Sequence, residues 1–281
     1  MTDARTTILC PKCRQLIARD EARCPHCGLR RPASGLQRLL QAGGGAASAS
    51  SWMRAILFTN IGMFLISLLI SPKGIRLSAN PLYFLSPDNG SLFLLGASGA
   101  IPFYRYHRWW TLVAANYLHG GMLHIFFNMA AFWQLAPLIL REFGPWRMFA
   151  IYTISGIVGF WVSCLAGVPL TIGASAAVCG LIGAAIYFGR ARGGAYGRAV
   201  FRQLGGWAIG ILLFGLLIPG INNWGHVAGF AAGVLLGYFL GYTERRAQTS
   251  LHKAMGISCA LLTVLVLGVD IVFALMYRMA G

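Results

Sequence analysis

Seven apolar runs divide this chain, near residues 53–71, 112–141, 147–168, 175–190, 204–219, 223–243 and 256–277. Each is of roughly the length that crosses a bilayer as a helix, so the fold class expected is an all-α polytopic membrane protein. Composition agrees: 57% of the 281 residues are hydrophobic and 11% are charged, outside the usual mix of a soluble domain. A net charge of +16 would suggest nucleic acid in a soluble protein, but here loops account for it. With the N-terminus placed in the cytoplasm, 18 of the 23 Lys and Arg residues fall on the cytoplasmic side, as the positive-inside rule requires. Nucleic acid is therefore set aside as a partner, and the lipid bilayer takes its place. The start of the second run is blurred by Gly120 and Gly121, and the fifth is short and carries glycine. A count of six spans would move only the C-terminus.

The first residues, Met1-Thr-Asp-Ala-Arg-Thr, are polar and lead directly into a cysteine pattern, so no cleavable signal peptide is expected. Residues 1–32 form a small cysteine module, and 33–52 are a Gly/Ala/Ser tract expected to be a flexible linker. A six-span core follows over 53–243, and residues 244–281 hold a cytoplasmic loop and a seventh span. Between the first two spans lies a long connection, about Pro72 to Arg108, ending in Phe103, Tyr104, Tyr106, Trp109 and Trp110. Aromatics with arginine at the end of a span suit the outer membrane interface, where this loop is expected to lie.

In the N-terminal module, Cys10-Pro-Lys-Cys13 and Cys24-Pro-His-Cys27-Gly28 have the spacing of a four-thiolate zinc ribbon. Each C-x-x-C knuckle fills two corners of a tetrahedron, and two knuckles close it. The alternative is a pair of disulfides, which a reducing cytoplasm disfavours. Zinc here would be structural, since a core this small folds because the metal binds and four thiolates leave no open coordination site. What the module contacts, for example a cytoplasmic partner, is open. Cys164, Cys179 and Cys259 lie in separate spans and read as packing residues.

Polar groups in hydrocarbon are expensive and mark function. Ser175 opens the fourth span and His226 lies near the start of the sixth. Both spans run from outside to inside, which brings the two residues to similar depth and permits a serine and base dyad. The only acid within a span is Asp270, in the seventh, so a third member is not expected. Gly225, Gly229, Gly233, Gly237 and Gly241 recur every fourth residue, a bare ridge that Ala176, Gly180 and Ala184 of the fourth span can match.

His124 and Asn128, four apart on one helix face, are candidate donors to a developing oxyanion, with the Ser175 backbone N–H as a third. His119 reads as a brace for the adjoining loop. Gly96-Ala-Ser98-Gly99 resembles a nucleophile motif, but it lies in the long loop before Pro102, and Ser98 is set aside. The soluble-hydrolase G-x-S-x-G pattern also fails, since position 177 is alanine.

Gly173-Ala-Ser175, Gly225-His226-x-x-Gly-Phe-x-x-Gly233 and His119-x4-His124-x3-Asn128, in this order and spacing, resemble the rhomboid family of intramembrane serine proteases. The resemblance covers about residues 53–243. It implies a six-helix core and a Ser175 nucleophile with His226 as general base. It also implies an oxyanion site at His124 and Asn128, transmembrane proteins as substrates, and a multi-pass place in a cell membrane of the bacterial inner-membrane kind. The seventh span resembles the extra C-terminal helix of part of that family. Three positions depart from the family pattern. Ala176 stands where glycine usually follows the nucleophile, and Cys179 where an aromatic often stacks on the histidine. Trp109-Trp110-Thr111 replaces a Trp-Arg pair, which leaves Arg108 to anchor the loop to lipid headgroups. The competing readings are a pseudoprotease that binds and escorts membrane clients and a transporter, the latter disfavoured because Asp270 is the only ionisable acid within a span.

Overall fold

The computed structural model describes residues 7–10, 16–18, 20–30, 46–71, 76–77, 84–218 and 220–280. They divide into two compact units, residues 1–54 and 55–281.

In the first unit, β1 (Thr7–Leu9) and β2 (Leu16–Ala18) pair antiparallel with Ile8 opposite Ile17. The Cys24 N–H donates to Leu29 O and the Gly28 N–H to Cys24 O, folding the second knuckle into a tight turn. Gly28 takes φ +71° there, a conformation open to glycine. Cys10, Ile17 and Cys24 are the buried centre of the unit.

The main helices are α1 (Ala46–Leu69), whose residues from Ala55 onward belong to the second unit, and, wholly within that unit, α4 (Met122–Phe143), α5 (Pro145–Leu165), α6 (Ser175–Arg192), α7 (Gly194–Leu217), α8 (Asn223–Leu240) and α9 (Ser250–Ala280). The linker expected over 33–52 is outside the described residues as far as 45, and α1 begins at Ala46. The long connection carries its own structure: strands β3 (Arg76–Leu77) and β4 (Phe84–Ser86), α2 (Asn89–Leu94), one π turn at Ile101–Arg105, and α3 (Thr111–Ala114). Asp88 caps α2 by accepting from the N–H groups of Gly90 and Ser91. The Ser71 hydroxyl donates to the same carboxylate at 2.6 Å, tying the end of α1 to α2.

The second span differs from expectation at its start. Residues 112–117 form a short helix and a 3-10 turn, and the long helix begins at Met122 beyond Gly120 and Gly121.

Among the described residues, five helices are long and apolar enough to cross a membrane: Ser51–Leu69, Met122–Phe143, Pro145–Leu165, Gly194–Leu217 and Ser250–Met279. The two missing from that set are α6 and α8, which carry Ser175 and His226. Both are 18 residues long, about 27 Å at 1.5 Å per residue, which nearly matches the hydrocarbon core. α6 falls short in apolarity because protein surrounds it, whereas α8 opens on the polar Asn223 and His226 and keeps an exposed apolar face at Trp224, Val227, Leu235, Tyr238 and Phe239. Twelve residues of α6 are buried, and it packs against α4, α5, α7 and α8. A helix encased by other helices needs small residues more than greasy ones.

The glycine ridge of α8 lies against α6. A Cβ built on Gly233 would fall on the Gly180 backbone, with its Cα at 2.6 Å, and one on Gly229 on that of Ala176, with its Cα at 3.2 Å. Gly237 faces Ala184 in the same register. At the far end of the bundle, Arg147 donates to the carbonyls of Arg246 and Ala247, both at 2.8 Å, and the Thr243 N–H donates to Glu142 O at 2.6 Å. Those bonds fasten the 241–249 turn under α5. Arg141, Arg190, Arg192 and Arg245 gather at the same end, with Arg192 paired to Glu244.

Candidate active site

The N-terminal ends of α4, α6 and α8 meet at the opposite end of the bundle from the arginines. Each is placed by a local device. Gly173, at φ +127°, turns the chain so that α6 starts at Ser175, and its N–H donates to Ala115 O at 2.9 Å. Asn222 caps α8: its Oδ1 accepts the Gly225 N–H at 3.1 Å, while its Nδ2 donates to Ser163 Oγ at 2.7 Å and Thr171 Oγ1 at 2.9 Å. One side chain thus fixes the start of the His226 helix, the end of α5 and the segment leading into Ser175. The sequence reading passed over Asn222. Its signal was present as an N-cap residue just before an apolar run.

His226 Nε2 lies 2.8 Å from Ser175 Oγ, a full-strength hydrogen bond. His226 is 9% exposed and Ser175 half-buried, so the hydroxyl keeps a route to a ligand. His226 Nδ1 has no partner among the described residues. Asp270 is engaged elsewhere, bound to Arg108 and Trp110, so among the described residues the pair stands without a carboxylate.

His124 approaches from α4. Its Nδ1 accepts the Gly120 N–H at 3.3 Å, which leaves Nε2 to carry the proton in the neutral ring. A Cβ on Gly173 would lie 2.7 Å from that Nε2 and 3.7 Å from Ser175 Oγ, so the two atoms are within 6.4 Å of each other across the space glycine leaves open. Asn128 Nδ2 donates to His124 O at 2.9 Å, one turn back on the same helix. One of its two N–H donors is spent there. His119 is fully buried with its ring edge-on to His124, centroids 5.1 Å apart, a packing brace for the turn before α4. The leading N–H groups of α6, that of Ser175 included, have no acceptor within the helix, and the helix dipole concentrates partial positive charge at the same point.

The unusual Ala176 is accommodated by its neighbour. Its Cβ faces Gly159 of α5, where a methyl would come within 2.8 Å, so the extra carbon is absorbed away from Ser175. Cys179 is 5% exposed and acts as a small packing group. Arg108 overturns its expectation. It is 7% exposed and turns inward to Asp270 and two carbonyls, because a buried carboxylate attracts it more strongly than headgroups would. Ser98 is fully buried and its backbone pairs with Thr171, which leaves it no access to a substrate.

In the N-terminal unit, the sulfurs of Cys10, Cys24 and Cys27 lie within 4.8 Å of one another, and these residues can hold a metal ion. Cys13 falls outside the described residues. The Cys10 and Cys27 sulfurs are 3.7 Å apart, too far for a disulfide and close to the roughly 3.8 Å edge of a tetrahedron with Zn–S bonds near 2.3 Å.

Residues 106–243 match the family model described as the rhomboid domain. Among curated proteins, the chain is 33% identical over 163 residues to RHOMBOID-like protein 4 of Arabidopsis thaliana, covering 57% of this chain and 41% of that protein. It is 31% identical over 166 residues to RHOMBOID-like protein 7 of the same plant, covering 58% and 52%. Rhomboid protease GluP of Bacillus subtilis is 31% identical over 144 residues, covering 50% and 27%. The chain thus spans about a quarter to a half of these relatives' own length. Ser175, His226, His124 and Asn128 all lie within the matched segment, on the three helix ends that meet at the site, and by that match residues 106–243 are a rhomboid domain.

Proposed function

We propose that this chain is an intramembrane serine endopeptidase that cuts transmembrane protein substrates with a Ser175–His226 dyad. The observation that carries the reading is the 2.8 Å contact between Nε2 and Oγ inside a helix bundle of membrane-spanning composition. Ser175 Oγ attacks the scissile carbonyl carbon as His226 Nε2 takes its proton, giving a tetrahedral adduct and an imidazolium. The new oxyanion accepts hydrogen bonds from the Ser175 N–H, from His124 Nε2–H and from the free N–H of Asn128. His226 then protonates the leaving amine as the C–N bond breaks, and the acyl-enzyme is hydrolysed by water that the same imidazole activates. A dyad suffices here: the Asn222 cap and the α6 contact hold the imidazole in place, the task an acid performs in a triad.

The N-terminal unit fits a structural zinc site with Cys10, Cys13, Cys24 and Cys27 as ligands, and the metal would supply folding energy to that unit. The clustering of arginines at the end opposite Ser175 supports a cytoplasmic N-terminus in a cell membrane of the bacterial inner-membrane kind, with the zinc module free to meet a cytoplasmic partner. The domain limits proposed are 1–32, 33–52, 53–243 and 244–281.

The test is labelling with a serine-reactive fluorophosphonate. The wild-type chain should be labelled and should cleave a single-span substrate, and Ser175→Ala should do neither while remaining folded. A folded wild-type chain that takes no label refutes the dyad and favours the escort reading.

A further inference from the structure

We propose that α9 is a positioning element for the dyad, acting through Asp270, which holds Arg108 and with it the loop that pairs with the segment entering Ser175. Asp270 is 1% exposed, and its Oδ1 accepts from Arg108 Nη2 at 3.2 Å and from Trp110 Nε1 at 3.0 Å. The same guanidinium donates to the carbonyls of Phe93 at 2.5 Å and Leu94 at 3.2 Å, the last turn of α2, and stacks 4.9 Å from the Phe93 ring. Gly96 lies against the other carboxylate oxygen, where a Cβ would collide with Oδ2 and with Ala114. The carboxylate is therefore enclosed by the loop on three sides.

From Arg108 the connection to Ser175 is continuous. Thr111 Oγ1 donates its one proton to Arg108 O at 2.6 Å, and the same oxygen lies 3.3 Å from the Ser98 hydroxyl. Ser98 and Thr171 exchange both backbone bonds, at 3.1 and 2.7 Å, and the Ala100 N–H donates to Val168 O at 2.7 Å. Thr171 is two residues before Gly173 and is the group that Asn222 grips from α8. A loop held at one end by α9 and at the other by this short ladder sets the approach of both Ser175 and His226. Removing one member of a buried ion pair leaves the other uncompensated, so Asp270→Asn frees Arg108 to leave the α2 carbonyls.

The proposal rests on Ser175 being the nucleophile, and its test separates the two. In the full-length chain in detergent, Asp270→Asn and Arg108→Gln should each lower the fluorophosphonate labelling rate and substrate cleavage in parallel, about tenfold. The double variant should lose the same tenfold and not a hundredfold, as coupled residues do. Amide hydrogen exchange at Ser98, Ala100 and Thr171 should quicken in the same variants. Should Asp270→Asn fail to fold, Arg108→Met/Asp270→Leu removes both charges together and should fold with the same slow labelling. Wild-type labelling rates, unchanged exchange, or slowed cleavage with unchanged labelling in a folded variant overturns the positioning role. A wild-type chain that takes no label at all refutes the nucleophile assignment instead.

Discussion

Replacing Gly229 with alanine tests the architecture of the dyad with one carbon atom. Gly229 lies three residues after His226 and faces Ala176, the residue after Ser175. Its added Cβ would sit 3.2 Å from Ala176 Cα and 3.0 Å from its carbonyl carbon, with the oxygen closer still. Carbon contacts settle at about 3.5–4.0 Å, so relief requires the two helices to part by roughly 1 Å. Backbone on both sides leaves no side chain to swing away. Overpacking of this kind costs about 1–3 kcal/mol of stability. The same parting would lengthen the 2.8 Å His226–Ser175 bond to roughly 3.8 Å, beyond hydrogen-bonding range. Activity should therefore fall by about a hundredfold, the low end of what a positioned general base contributes. Thermal unfolding and fluorophosphonate labelling of the purified variant read the two effects separately. The control is Gly210→Ala on α7, where nothing lies within 4 Å, and alanine there should leave labelling unchanged and add about 0.5–1 kcal/mol of helix stability. Gly229→Ala with wild-type melting and wild-type labelling would refute the claim that close backbone contact sets the dyad.

The oxyanion assignment predicts that His124→Ala and Asn128→Ala each lower turnover by roughly 10² to 10³ while labelling is weakened and not erased; unchanged turnover in both returns the pair to packing. Asn222→Ala removes a helix cap and two side-chain bonds, and should cost about 1–2 kcal/mol in thermal unfolding and slow labelling as well; a variant melting with the wild type counts against the cap. Elemental analysis should find one zinc per chain, lost in Cys24→Ser; a metal-free wild-type chain counts against the four-thiolate site.

The catalytic candidates were legible because they are polar groups in apolar runs, and their spacing along Gly225 to Gly241 also forecast the facing residues Ala176, Gly180 and Ala184. Hydropathy alone gave the reverse weighting for Ser175, since the helix carrying it is the least apolar of the long ones. What escaped was anything made by long-range contact. Arg108 read as a headgroup anchor because a cation beside tryptophans usually is one, and nothing local shows that Asp270, 162 residues later, lies beside it. Asn222 was passed over for a similar reason: its cap is local, but its bonds to Ser163 and Thr171 cross 59 and 51 residues. The helical break at 118–121 is a third case, where the apolar run continues through residues that end one helix before the next begins.

The modest apolarity of α6 bears on how the molecule is made. A helix that lipid alone would hold weakly enters the membrane stably only when its neighbours are already there to enclose it. The more apolar α4, α5 and α7 would settle first and α6 would enter between them, Ser175 meeting His226 only when the glycine face of α8 packs on α6. Chains truncated after Arg192 and reported by glycosylation sites should accordingly insert α6 less completely than full-length chains, and equal insertion would speak against this order. On the proposed dyad, a nascent chain would carry both halves of its site yet be unable to cut its neighbours until the bundle is finished.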